Sequence, residues 1–152
     1  MTTTKRLSWI CIVNQREGRL LRAREIPEHR HQLKLKARIE NKWEEHEHGR
    51  PSPLAAKNGH THSSYGHESE TMRRRFAQDV ADWLESNART NGIDRVAVLA
   101  PSRFLAELKP RWSTRLQSHV EEYECGLGYL EEGELVQHPM IIRLLSNGNM
   151  RL

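Results

Sequence analysis

Long apolar runs are missing from this sequence. None approaches the roughly twenty consecutive apolar residues that a membrane-spanning helix needs, so no membrane partner is expected. Cysteine is scarce: Cys11 and Cys125 are the only two in 152 residues, each inside an apolar or strand-like segment. One disulfide is arithmetically possible, but two buried thiols in a cytosolic protein is the simpler reading. The opening MTTTKRLSWICIVNQREG has a basic pair but only a short apolar run before Asn14. A secretory leader needs a longer apolar stretch and a small-residue cleavage site, so a cytoplasmic location is expected. The first strand-like segment carries no carboxylate, and neither G-x-S-x-G nor H-E-x-x-H occurs. Those absences remove the usual signatures of two-metal nucleases, serine hydrolases and zinc proteases.

What is present is charge. Lys and Arg number 24 against 20 Asp and Glu, for a net charge of +4 and a pI near 9.3. A modest basic excess fits a polyanionic partner such as nucleic acid. It is unevenly placed. RLLRAREIPEHRHQLKLKAR and the triplet Arg73, Arg74 and Arg75 are basic, whereas EEYECGLGYLEEGE near the C-terminus is acidic and suits a protein partner or simple solubility.

Periodicity predicts one α/β domain over residues 1–152. LSWICIVN, from Leu7 to Asn14, reads as a buried strand, QREG as a turn with Gly18 free to take positive φ, and RLLRAREI as the returning strand up to Pro27. QLKLKARIE alternates, with Leu33, Leu35, Ala37 and Ile39 on one face and Lys34, Lys36 and Arg38 on the other. Periodicity then stops, and residues 44–69 read as an extended polar loop.

The next segment, ESETMRRRFAQDVADWLESNARTNG, is helical by spacing, with Met72, Phe76, Val80, Trp83, Leu84 and Ala88 on one face. Ser69 or Thr71 can cap it, and Asn91-Gly92 stops it. DRVAVLAP reads as a strand, and RFLAELK as a helix capped by Ser102. HVEEYEC reads as a last strand and EEGELVQHPMIIRLL as helical with Pro139 as a kink or boundary, leaving 146–152 as a frayed tail. The order implies a mixed β-sheet with helices on its faces, in a ribonuclease-H-like arrangement.

The polar stretch KNGHTHSSYGHESE, residues 57–70, holds His60, His62 and His67, with His46 and His48 upstream. An imidazole pair at i, i+2 can chelate, but no cysteine joins it and no ordered second shell is evident. No metal and no other cofactor is therefore expected. Asp79, Asp82 and Glu85 fall along a helix surface and read as a solvated face rather than a catalytic cluster.

The run HESETMRRRFAQDVADWLESNARTNGIDRVAVLAPSRFLAELK resembles a bacterial family labelled host-attachment proteins. The match rests on Arg75, Phe76, Ala77, Ala81 and Leu84, then on Asp94, Arg95, Val98, Leu99, Ala100 and Pro101, and finally on Arg103, Phe104, Leu105 and Leu108. That family is in turn similar to the central domain of archaeo-eukaryotic peptide-chain release factors and Pelota-like proteins. There a hairpin and a further strand lead to a Gly-rich loop, a long Arg-rich helix and a strand–helix step like VLAPSRFLAEL. The release-factor loop carries Gly-Gly-Gln, which enters the peptidyl-transferase centre. This sequence has no Gly-Gly-Gln.

The resemblance implies a non-catalytic RNA- or ribosome-binding factor, acting in translation stress, rescue or dormancy, with ribosomal RNA or tRNA as the contact. Its expected contact residues are Lys57, His60, His62 and His67 in the polar segment and Arg73, Arg74 and Arg75 on the helix. Lys34, Lys36 and Arg38 are secondary. The competing expectation is an intracellular interaction module that supports attachment to host cells without touching RNA.

Overall fold

The structure, a computed structural model, describes residues 7–28, 30–43 and 61–150, with side chains placed except at 61–69 and 147–150. Five strands form one sheet in the order β3-β2-β1-β4-β5. They are β1 (Trp9–Val13), β2 (Glu17–Ile26), β3 (Arg30–Glu40), β4 (Val96–Ala100) and β5 (Val120–Glu124). β1 pairs antiparallel with β2, and β2 with β3. β4 runs parallel to both β1 and β5, so the sheet is mixed. The helices are α1 (Thr61–Asn91), α2 (Ser102–Leu108), α3 (Thr114–Gln117), α4 (Glu132–Leu135) and α5 (Pro139–Met150).

The helices cover both faces of the sheet, which explains why WICIV and VAVLA are apolar without alternation: every residue of both strands is buried. On one face α1 lays Phe76, Ala77, Val80, Ala81, Leu84 and Ala88 over Trp9, Cys11, Val13, Leu20, Val96 and Val98, with Phe104, Leu105 and Leu108 of α2 alongside. On the other, Leu135 of α4 and Ile141, Leu144 and Leu145 of α5 pack on Ile10, Ile12, Leu21, Leu33, Ala97 and Leu99. The expected α/β architecture of a mixed sheet between helices is the one observed.

Several local expectations are corrected. Gly18 lies inside β2 opposite Val13, not at a positive-φ turn position. The turn is made by Asn14, whose Oδ1 accepts hydrogen bonds from the backbone N–H of Arg16 (2.8 Å) and of Glu17 (3.0 Å). Gly18 is needed for space, because a Cβ there would stand 3.0 Å from Ile39 Cγ2 and 3.2 Å from Val13 Cγ2. Ser102 is the first residue of α2 rather than its cap. Pro101 holds the cap position, without a side-chain hydrogen bond. Helix α1 starts at Thr61, so neither Ser69 nor Thr71 caps it, and the last part of the expected 44–69 loop is helical. Pro139 is the expected helix boundary: it begins α5, a position where its missing N–H costs nothing, but α5 then runs to Met150 through most of the expected tail.

The alternation in β3 is broken by a bulge. Leu20 pairs with Ala37 but Leu21 pairs with Leu35, so Lys36 has no partner in the ladder. The extra residue switches faces. Leu33 packs in the core under α4 and α5, whereas Ala37 and Ile39 pack under α1. Lys34 and Arg38 therefore point to opposite sides of the sheet, not to the shared basic face expected of Lys34, Lys36 and Arg38.

Arg19 ties the second layer down. Its side chain is buried, donating from Nη2 to the carbonyl of Leu130 at 2.7 Å and of Gly128 at 3.4 Å, with Glu132 3.8 Å from Nη1.

Both cysteines are free thiols, and Cys125 is half-buried rather than buried as expected. Cys11 packs under α1 and Cys125 against the α4–α5 core, so the sheet itself separates them. Burial pushes the Cys11 thiol up from an ordinary 9.0 to about 12. The folded chain thus keeps a proton that the unfolded chain releases above pH 9, and the associated stability is lost as pH rises from 9 towards 12. The expected slope over that window is about 1.4 kcal/mol per pH unit from this group. Urea unfolding of the protein and of Cys11→Ala at pH 8 and pH 10 checks it, since the variant lacks that part of the alkaline loss.

Candidate nucleic-acid interface

Among the described side chains of α1, the fully buried ones begin at Phe76; from Glu70 to Arg75 the helix is half-buried or exposed. The three arginines before Phe76 sit at successive helical positions, about 100° apart around the axis, and the structure sends them to different partners. Arg73 turns inward towards Glu107 of α2, with Nε 3.8 Å from Glu107 Oε2. Arg74 bonds Glu70 at 2.6 Å, one turn back, and its Nε lies 3.9 Å from the same Glu107 oxygen. Arg111 reaches Glu107 from the other side, Nη1 to Oε1 at 3.4 Å. Three guanidinium groups thus surround one carboxylate, and positive charge is left over. Arg73 and Glu107 are only 15% and 19% exposed, so this pair holds α1 against α2. Arg73 is accordingly part of the frame rather than a free contact.

Arg75 does something different. Its guanidinium lies over the ring of Trp43, 4.9 Å from the centroid. The indole N–H of Trp43 donates to Asp79 Oδ2 at 3.1 Å, one turn further along α1. Trp43 is 40% exposed, whereas Trp9 and Trp112 are buried at 6% each. The backbone below it is fixed by Asn41, itself buried. Asn41 Oδ1 accepts from the Trp43 N–H at 3.0 Å, its Nδ2 donates to the Gln15 carbonyl at 2.7 Å, and its N–H donates to the Arg16 carbonyl at 2.8 Å. A cation stacked on an oriented indole at the protein surface is a planar platform of the kind unpaired bases stack on.

The remaining expected contact residues are dispersed. Lys57 and His60 lie outside the described residues, while His62 and His67 fall within the first turns of α1 rather than in a loop. Lys34 and Lys36 are exposed on the edge strand, and Arg38 is held by Glu17 and Glu40, each at 3.2 Å. The acidic stretch is also engaged internally: Glu121 pairs with Arg95, and Glu122 accepts the Trp112 indole N–H at 2.9 Å. Trp43, Asn41 and Asp79 are absent from the sequence-based candidates. The available signal was a tryptophan standing just beyond a strand, at the edge of a polar segment, with no helical or strand periodicity to place it in a core.

The mixed sheet, with its strand hairpin leading on to a long arginine-bearing helix, has the layout expected from the release-factor resemblance. A model of bacterial archaeo-eukaryotic release factor family 12 matches residues 7–125, and the chain belongs to that family. No curated protein matches the sequence.

Proposed function

We propose that this protein is a non-catalytic RNA-binding factor that acts on the ribosome, in the cytoplasm, in translation stress, rescue or dormancy. Family membership supports a role in translation. The observation that carries the RNA reading is the Arg75–Trp43 stack, preset by Asp79 and Asn41 beside the arginine-bearing end of α1. An unpaired base of ribosomal RNA or tRNA stacks on this platform, while Arg74 and Arg75 face the phosphates. The lack of Gly-Gly-Gln in the sequence supports binding without peptide release.

Co-sedimentation with ribosomes at low and high salt tests the reading. Association should fall steeply with salt, as phosphate contacts require. Trp43→Ala and Arg75→Ala should each weaken it about tenfold, in line with the loss of one base stack. These two variants discriminate better than alanine at Arg73, which also loosens α1 from α2. No association with ribosomes or RNA at any salt concentration would sink the proposal.

A further inference from the structure

Strands β2 and β3 run on past the start of β1. Trp9, the first residue of β1, pairs with Arg22, and from Arg24 to Ile26 strand β2 pairs with β3 alone. The hairpin is a two-stranded ribbon at that end, and its register decides what each face carries. Directly opposite residues share a face, which sets Arg22 beside Lys34, Arg24 beside Gln32 and Ile26 beside Arg30. Trp9 belongs to the core under α1, so this is the α1 side of the sheet. Of the basic stripe expected from alternation only Lys34 takes part, and Arg22 and Arg24 join it from the neighbouring strand.

Every residue of that face except half-buried Ile26 is exposed, and none is a carboxylate. Glu25 lies on the other face, opposite His31, and Glu28 sits in the turn, 3.9 Å from Arg30. Arg24 and Lys34 make no ion pair among the described residues. Arg22 lies over the buried Trp9 ring, 5.4 Å from its centroid, a contact that orients the guanidinium without neutralising it. Like charges directly opposite one another destabilise a pair of strands, and Arg22 and Lys34 are such a pair. The register thus concentrates positive charge on an open face where no described carboxylate offsets it.

We infer that this ribbon face binds the phosphate backbone of a helical RNA stem, an inference that rests on the RNA reading proposed above. Same-face residues along a strand stand about 6.8 Å apart, close to the separation of neighbouring phosphates on one nucleic-acid strand. Arg22 and Arg24 grip phosphate oxygens through their planar forks, and Lys34 acts as a point charge. Gln32 offers its amide to a phosphate or a 2′-hydroxyl. No aromatic ring is exposed on this face for a base to stack on, so it reads backbone and shape, which is what a duplex presents. Ile26 is its one apolar residue, which leaves little to insert into a lipid surface. The Trp43 platform stands on the same side of the sheet beyond the far end of β3, an eleven-residue strand about 35 Å long. An RNA with its stem on the ribbon and an unpaired end on the platform occupies both.

Fluorescence anisotropy of the full chain over a range of salt tests the face, with a blunt RNA duplex and a single-stranded RNA of the same length as probes. Vesicles rich in anionic phospholipid, assayed by co-sedimentation, are the third probe. The duplex should bind saturably, more weakly as salt rises. Arg24→Gln combined with Lys34→Gln should weaken duplex binding at least tenfold and make the salt slope shallower by about 2, roughly one for each lost phosphate contact. Arg143→Gln on α5 should change neither, and Trp43→Ala should leave the blunt duplex unaffected while weakening the single strand. Absence of duplex binding at low salt overturns the inference, as does duplex binding that the double variant retains with an unchanged slope. Equal loss of single-strand binding in the double variant overturns the stem assignment. Vesicle binding that the double variant abolishes, in place of duplex binding, gives the face to a membrane instead. Duplex binding through Arg24 and Lys34 by a protein that does not sediment with ribosomes upholds this face and sinks the ribosomal assignment. Ribosome association lost in Trp43→Ala, without any duplex binding, does the reverse.

Discussion

Arg19→Leu should lower the unfolding free energy by about 3 kcal/mol, because two half-buried carbonyls lose the charged donor they accept from. The side chain is 7% exposed, and the carbonyls of Gly128 and Leu130 belong to the segment that leads into α4. Leucine keeps most of the apolar stem packed against the second layer, so the loss reports the guanidinium rather than bulk volume. Glu132 is a third exposed and 3.8 Å away, and water compensates for most of its share. Urea unfolding measures the size of the effect. Amide hydrogen exchange locates it, with protection expected to drop first at residues 128–135. Unchanged exchange there would mean that the helices of the second layer hold themselves in place.

The largest effect is expected at the opposite layer. Phe76→Ala should cost about 4 kcal/mol, the range for emptying a fully buried aromatic site. Phe76 is 0% exposed, and its ring lies 5.8 Å from that of Phe104 at an interplanar angle of 34°. It is the first buried residue among the described side chains of α1 and directly follows Arg75, so it helps to fix where Arg75 meets Trp43. Phe76→Leu, which keeps most of the volume, should cost under about 1.5 kcal/mol. The urea midpoint should shift for both while the slope stays constant, which separates lost packing from a change in the unfolded ensemble.

The main elements were legible because their signals are local. Nothing but a doubly covered strand explains WICIV and VAVLA, and the spacing of Phe76, Val80, Leu84 and Ala88 leaves no choice but a helix. Gly92 takes the positive φ, 61°, that the Asn91-Gly92 pair announces. What escaped is set by long-range contacts. Gly18 looked like a turn residue, since no pattern reveals that Ile39 and Val13 crowd its Cα. The Lys34, Lys36 and Arg38 stripe is sound as alternation, but a bulge is a property of two strands together and cannot be seen in one. Arg73, Arg74 and Arg75 read as one basic block until Glu107 and Trp43 divide them. The helical start at Thr61 was hidden by a composition of Ser, Gly and His that gives weak helix propensity and no apolar face.

The bulge at Lys36 has a bearing on solubility. β3, eleven residues long, forms one edge of the sheet, and a long unpaired edge is a template on which another chain can add a strand and aggregate. Lys36 interrupts the regular ladder in the middle of that strand and places a charge where an incoming strand must lie flat. Lys34, exposed two residues earlier, adds a second charge close by. The opposite edge, β5, is only five residues long and carries Glu121, Glu122 and Glu124. The same irregularity that splits the basic stripe between two faces thus works against edge-to-edge pairing of the sheet.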